Sequence, residues 1–221
     1  MASWMVHLRI ADKLLDQIPD LSPTEFIVGN IAPDSGVPNA DWSAFSPPTS
    51  VSHFRTDEKK ADPEAFAAKY FTQPQNYTLE QYSFYLGYLT HLLTDVLWSE
   101  QIARPSLVLH GKTDAPDREE FIRQLKKDWY DLDFKFLQDH PMFRAFRIFR
   151  EAVDFENCYM GEFSSDAFEN RRRYITSFYL EGRENLNRDY PYLKESEMDA
   201  FVENATDRIL NILHTKYGIK L

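Results

Sequence analysis

Apolar residues recur at three- and four-residue intervals along most of the chain, the spacing of helix faces rather than of strands. Between about residues 5 and 18, His7, Ile10, Leu14 and Ile18 fall on one stripe. Ser22-Pro23-Thr24-Glu25 reads as a capping box with proline at the first helical position, opening a short helix towards Gly29. The proline-rich stretch from Ile31 to Arg55 has no clear period, which predicts a long ordered or functional loop. Asp62-Pro63 starts another short helix, and Thr78 to Gln81 forms a second capping box. That box launches a segment with no Lys or Arg between Phe84 and Trp98, crowded with leucines and aromatics, as expected of a helix buried on all sides. After a polar connection at 111–116, an amphipathic pattern runs from Asp117 to Leu137 and is broken at His140-Pro141. Further helical patterns cover Phe143 to Val153, Asp166 to Asn187 and Glu195 to Tyr217, with Gly218 as a C-terminal stop. Neither a repeat nor a convincing alternating strand is present. The pattern predicts one all-α domain, a multi-helix bundle over residues 1–221.

Composition narrows the function. A 221-residue chain with 43% hydrophobic and 15% aromatic residues has enough apolar material for one sizeable core. Seven glycines argue against a Gly-rich phosphate loop. A formal charge of −10 argues against nucleic acid and an anionic membrane surface as general partners. The basic run Arg171-Arg172-Arg173 lies among glutamates and reads as a solvated helix face. No stretch approaches the ~20 apolar residues of a bilayer span, and no secretory leader is visible, so no stable membrane association is expected. The single cysteine, Cys158, reads as structural, and its solitude fits a reducing cytoplasm.

The buried segment carries one histidine and one aspartate. His91 and Asp95 are one helical turn apart and so share a face, with Gly87 on that face a turn earlier, where another backbone or an ion can approach closely. A carboxylate buried there costs several kcal/mol unless a partner or a metal neutralises it. Three more ligand-type residues stand in conspicuous places. These are His7 on the first apolar stripe, Asp34 in Gly29-Asn30-Ile31-Ala32-Pro33-Asp34, and His53 in the proline-rich loop. Three histidines and two aspartates suit zinc or a similar divalent cation, with iron, manganese and nickel as alternatives, and Asp95 can bridge two ions. Two cations about 3.5–4 Å apart can polarise a phosphoryl group and lower the pKa of a bound water. Read one at a time, His7, Asp34 and His53 are better explained as a satisfied core histidine, a turn aspartate and a loop histidine, whereas the burial of the His91/Asp95 pair favours the ligand reading. Asp131 and Asp133, among the aromatics of Trp129 to Phe134, read as solvent-facing, with an accessory role at the site as the alternative. His110 and Asp114 have ligand spacing but read as an exposed loop. Trp42 and Phe45 read as core filling, or as a wall over the metals.

In this order the residues resemble the zinc-dependent phospholipase C family, which is all-α and related in fold to the S1/P1 nucleases. The resemblance rests on the early-helix His7, the Gly-x-x-Ala-Pro-Asp segment ending at Asp34, the loop residue His53, and Leu-Gly-x-x-x-His-x-x-x-Asp from Leu86 to Asp95. It covers about the first 100 residues, so residues 1–103 would carry the metal-binding motifs and 104–221 a helical remainder. It implies one ion held by Asp34, His53, His91 and Asp95, and another held by Asp95 and His7. The family's later H-x-x-x-E is absent and Trp4 lies inside the chain, so one or two ions are expected rather than three.

The expectation is therefore a cytoplasmic metal-dependent hydrolase acting on a small phosphoester, with Asp34 also orienting the attacking water. An HD-type phosphohydrolase is disfavoured because no histidine in the chain is directly followed by an aspartate, so the His-Asp dipeptide is missing. The alternative from another class is a non-catalytic helical module in which the same residues form a structural metal site or a buried polar network.

Overall fold

The computed structural model describes residues 1–41, 43–55, 61–72, 76–110 and 117–221. The protein is all-α, as the periodicity predicts. In chain order the helices are α1 (Trp4–Leu15), α2 (Pro23–Ile31), α3 (Thr49–Ser52), α4 (Pro63–Tyr70), α5 (Leu79–Trp98), α6 (Arg104–Leu109), α7 (Asp117–Asp139), α8 (Arg144–Glu151), α9 (Ala167–Leu180) and α10 (Glu195–Tyr217). A 3-10 turn (Ala32–Asp34) extends α2, and a π turn (Ser99–Ala103) joins α5 to α6. The buried apolar side chains form one continuous cluster, from Ala2 to Ile219.

Helix ends follow their sequence signals with one exception. Thr78 accepts from the Gln81 amide while the Gln81 side chain accepts from the Thr78 amide, completing the capping box of α5. Gly218 takes φ +67° at the end of α10, a left-handed conformation natural to glycine. The exception is α2, where the Ser22 hydroxyl turns to the Glu25 carboxylate and caps no backbone amide. Two further differences concern local pairing. Within the proline-rich loop, Val37–Pro38 and Phe45–Ser46 pair as a minimal antiparallel ribbon. The helix expected to run to Asn187 stops at Leu180, with Gly182 at φ +66° just beyond.

Helix α5 is the axis of the fold, buried from Ser83 through Asp95 and again at Leu97 and Trp98. Helix α2 lies directly against it, and two glycines permit that approach. A Cβ on Gly87 would stand 2.1 Å from the Phe26 carbonyl oxygen, and one on Gly29 would stand 2.2 Å from that of Phe84. Gly87 thus admits another backbone, not an ion. Its consequence is that the end of α2 and the Ala32–Asp34 turn are pressed onto the His91 and Asp95 face of α5. Helix α1 packs against α2 and α5 and brings His7 to the same face.

Candidate metal centre

The five residues singled out from the sequence converge. His7 comes from α1, Asp34 from the turn after α2, His53 from the residue after α3, and His91 and Asp95 from α5. All three histidines are completely buried. The polar atoms face one another at spacings mostly too long for good hydrogen bonds. His53 Nε2 is 3.4 Å from Asp34 Oδ1 and 3.6 Å from Asp95 Oδ2. His91 Nε2 is 3.4 Å from His53 Nε2, 3.8 Å from Asp95 Oδ2 and 4.0 Å from Asp34 Oδ1. The other oxygen of Asp95 lies 3.5 Å from His7 Nε2. Ligands bonded tetrahedrally at about 2.0–2.2 Å from one ion stand roughly 3.3–3.6 Å from each other. The observed spacings therefore match a shared cation better than a mutual hydrogen-bond network.

Among the described residues two triads, His7/His91/Asp95 and Asp34/His53/His91, each bring their ligand atoms within 4.8 Å of one another. His91 belongs to both, while Asp95 sends one oxygen towards each. The His7 and His91 rings stack in parallel with centroids 3.8 Å apart. Neither ring nitrogen of His7 has a hydrogen-bond partner. A buried orphan nitrogen costs about 1–3 kcal/mol, a cost that ligation removes. The donor set fits a divalent cation.

The surroundings orient these ligands. His91 Nδ1 lies 2.7 Å from the Asn30 carbonyl oxygen and donates to it, leaving Nε2 as the lone-pair nitrogen. His53 Nδ1 lies 2.9 Å from the Ser52 hydroxyl. Asp95 Oδ1 accepts from the Ala2 amide at 2.8 Å, and Asp34 Oδ2 accepts from Trp4 Nε1 at 2.9 Å. Burial, reinforced by neighbouring His7, pushes His91 down to about 3, so its imidazole is neutral and available as a ligand. Burial alone would raise Asp34 and Asp95. Their histidine neighbours outweigh it and hold both carboxyls well below the usual range.

The centre is not sealed. A cavity of about 550 Å³ reaches it at Asp34, bounded by the start of α1, the turn after α2, the proline-rich loop, α7 and α9. Phe45 lines it, in the wall role rather than as core filling; Trp42 lies outside the described residues. Asn30, Trp4 and Ala2 carried no signal in the sequence because each acts through backbone or a contact distant along the chain.

Several expectations need correction. Asp131 and Asp133 are buried, at 4% and 1% exposure, and do not face solvent. Lys127, Arg183 and Arg188 surround Asp131. Ser3 and Tyr179 each donate to Asp133 at 2.8 Å. The triple-arginine run is not a uniform solvated face. Arg173 is exposed, Arg172 is buried against Glu169, and Arg171 is buried at the cavity wall. Cys158 is exposed, so it has no structural role in the core. His110 is half-buried against Phe121 and Tyr192, and Asp114 lies outside the described residues.

A sequence profile of the family described as zinc dependent phospholipase C matches residues 6–127, more than half of the chain and all five converging residues. No curated protein and no solved structure gives a significant match. Together with the two donor triads, the match supports a divalent metal cofactor of zinc type. On the strength of that match the chain belongs to the zinc-dependent phospholipase C family.

Proposed function

We propose that the protein is a metal-dependent phosphoesterase, with Asp34, His53, His91 and Asp95 holding one ion and His7 with Asp95 holding a second. The observation that supports this most is the meeting of a buried donor set with a 550 Å³ cavity at Asp34, the most exposed of the five at 9%. A structural metal is closed off by protein, whereas a catalytic one keeps a side open to water and ligand. When bound, the cation supplies Lewis-acid stabilisation of phosphoryl charge and acidifies water beside it.

The chain's own groups do the rest. Asn30 keeps the His91 ring aligned through Nδ1, and Ser52 does the same for His53. Trp4 fixes Asp34 through Oδ2. Asp34 is held ionised and lines the cavity, so its carboxylate can accept a hydrogen bond from an entering water and orient it towards phosphorus. Trp4, Trp129 and Tyr130 line the cavity with aromatic surface that limits bulk water.

The substrate class is a phosphodiester or monoester, with a phospholipid as one member because the family is described as phospholipase C. Among the described residues no helix is long and apolar enough to cross a membrane. A cytoplasmic setting is in keeping with a lone, exposed cysteine.

Elemental analysis of the purified protein, together with release of nitrophenolate from p-nitrophenyl phosphodiester and monoester, tests the reading. One or two metal equivalents and hydrolysis are expected. Asp34→Ala should lower turnover far more than it lowers folding stability. Bound zinc with neither hydrolysis nor phosphoester binding would overturn the enzyme and leave a structural metal in a non-catalytic helical module. No metal, even after reconstitution, would overturn both.

A further inference from the structure

The cavity beside the donor set carries a cation on its α9 wall. Arg171, on α9, is 7% exposed and lines the cavity that Asp34 also lines. Its guanidinium donates to the Gly36 carbonyl at 2.8 Å and lies 5.9 Å from the Trp4 ring centre and 5.6 Å from that of Tyr174. Among the described residues no carboxylate forms an ion pair with it, in contrast to Arg172, whose fork is closed by Glu169. The carboxylate whose charge acts on Arg171 is Asp34, which the donor set claims. A guanidinium taken out of water without a dedicated anion is held at a cost, and a fork of N–H groups in a cavity is suited to oxyanions. Lys126, on α7, lines the same cavity and adds a second positive charge, while Asp34 is the one acidic residue among its described lining. This occurs in a protein with a net charge of −10.

We propose that Arg171 forms an oxyanion subsite, so that the preferred substrate is a phosphoester carrying a second anionic group, a carboxylate or a further phosphate, and not a cationic headgroup. The inference rests on the phosphoesterase reading and gives it a substrate class. The aromatic surfaces do not argue for a quaternary ammonium ligand. The guanidinium already lies near the Trp4 and Tyr174 faces that such a ligand would use, and two cations there repel. The subsite lies at the cavity wall contributed by α9, beyond the five donor residues and outside the 6–127 stretch that the family profile matches. A lipid headgroup and a free phosphoester both present this chemistry.

The test compares three soluble ligands on the full-length, zinc-loaded protein, by calorimetry or by quenching of Trp4 and Trp129 fluorescence. These are 3-phosphoglycerate, glycerol 3-phosphate and phosphocholine. The carboxylate-bearing ligand is expected to bind about ten-fold or more tightly than glycerol 3-phosphate, and phosphocholine more weakly than either. Arg171→Met should remove the preference, and Arg171→Lys, which keeps the charge but not the fork, should retain part of it. The wild-type ratios decide the case by themselves should Arg171→Met not fold. Mixed micelles of phosphatidylserine or phosphatidylcholine, scored by release of phosphoserine or phosphocholine, separate the two sources. An Arg171-dependent preference in micelles assigns the oxyanion to a lipid headgroup, and a preference confined to the soluble ligands assigns it to a free phosphoester. Equal binding of all three ligands, unchanged in both variants, overturns the subsite and leaves the phosphoesterase reading intact. Failure of every phosphate ligand to bind the zinc-loaded protein overturns that reading instead.

Discussion

Two clusters of buried aspartates lie on either side of the start of α1, and they are satisfied in opposite ways. Around Asp131 and Asp133, on α7, each contact is a hydrogen bond of 2.5–3.0 Å from a lysine, an arginine, a serine or a tyrosine. Around Asp34 and Asp95 the histidine nitrogens stand at 3.4–4.0 Å, and neither ring nitrogen of His7 has a hydrogen-bond partner. The acids alone do not separate the two, since each pair of aspartates lies among aromatics in an apolar surround. Spacing separates them. A cluster closed at hydrogen-bond length is complete, whereas one left open at longer spacing has room for a cation.

The sharpest way to break the contrast is Asp95→Ala. Both sets of donors lose an oxygen, so zinc content should collapse, a larger loss than the ~10–100-fold of an outer-shell change. A chelator should lower the melting temperature of the wild type and leave that of the variant unmoved. A variant that keeps its zinc would mean the aspartate is a structural partner like Asp131.

Next in size is Gly87→Ala. The added methyl meets the Phe26 carbonyl, which is backbone and cannot rotate away, so α2 and α5 must separate. The expected loss is about 1–3 kcal/mol or more, read by urea denaturation. Weakened zinc binding should accompany it, because the Asn30 carbonyl lies on α2 and Asp34 on the turn that extends it. Unchanged stability would show that this contact does not position the donors.

The closed cluster has its own signature in pH. Burial raises Asp133 to about 7, against the hydrogen bonds from Ser3 and Tyr179 that lower it. The folded protein therefore keeps this proton up to about pH 7, while the unfolded chain gives it up near pH 4. Between those values the native state binds more protons, so Asp133 makes stability fall as pH rises, by at most about 1.4 kcal/mol per pH unit, and the loss levels off above pH 7. Asp133→Asn should flatten that component in denaturation curves taken from pH 4 to 8. An unaltered slope would assign the dependence to other groups.

The smallest effect is expected from Trp4→Phe, which keeps an aromatic ring but removes the hydrogen bond to Asp34 Oδ2. Zinc content should hold, and turnover on the phosphoester found to react should fall about ten-fold. Zinc lost together with activity would instead make Trp4 part of what holds the metal.

The helices were legible in the chain because their causes are local. Thr78 and Gln81 cap α5, Gly218 ends α10, and the absence of Lys and Arg from Phe84 to Trp98 announces burial. The His91/Asp95 pair was legible for the same reason, since one helical turn sets their relation. The order of His7, Asp34, His53, His91 and Asp95 carried the family, and with it the expectation of zinc. The burial of Asp131, Asp133 and Arg171 was not legible. A polar residue on a helix reads as solvated unless its partners are known, and those partners lie far off in the chain: Ser3 for Asp133, Arg188 for Asp131, the Gly36 carbonyl for Arg171.

By itself, then, the sequence determined an all-α protein with a helix too apolar to leave its histidine and aspartate without partners. It also determined, by the order of five residues, the family to which the chain belongs. Only the tertiary structure decided that Gly29 and Gly87 bring α2 onto α5, that the two oxygens of Asp95 part towards different histidines, and that Arg171 turns inward to a cavity. Periodicity and capping act within a few residues of chain. Ligand spacing, orphaned nitrogens and cavity charge arise where segments distant in sequence meet.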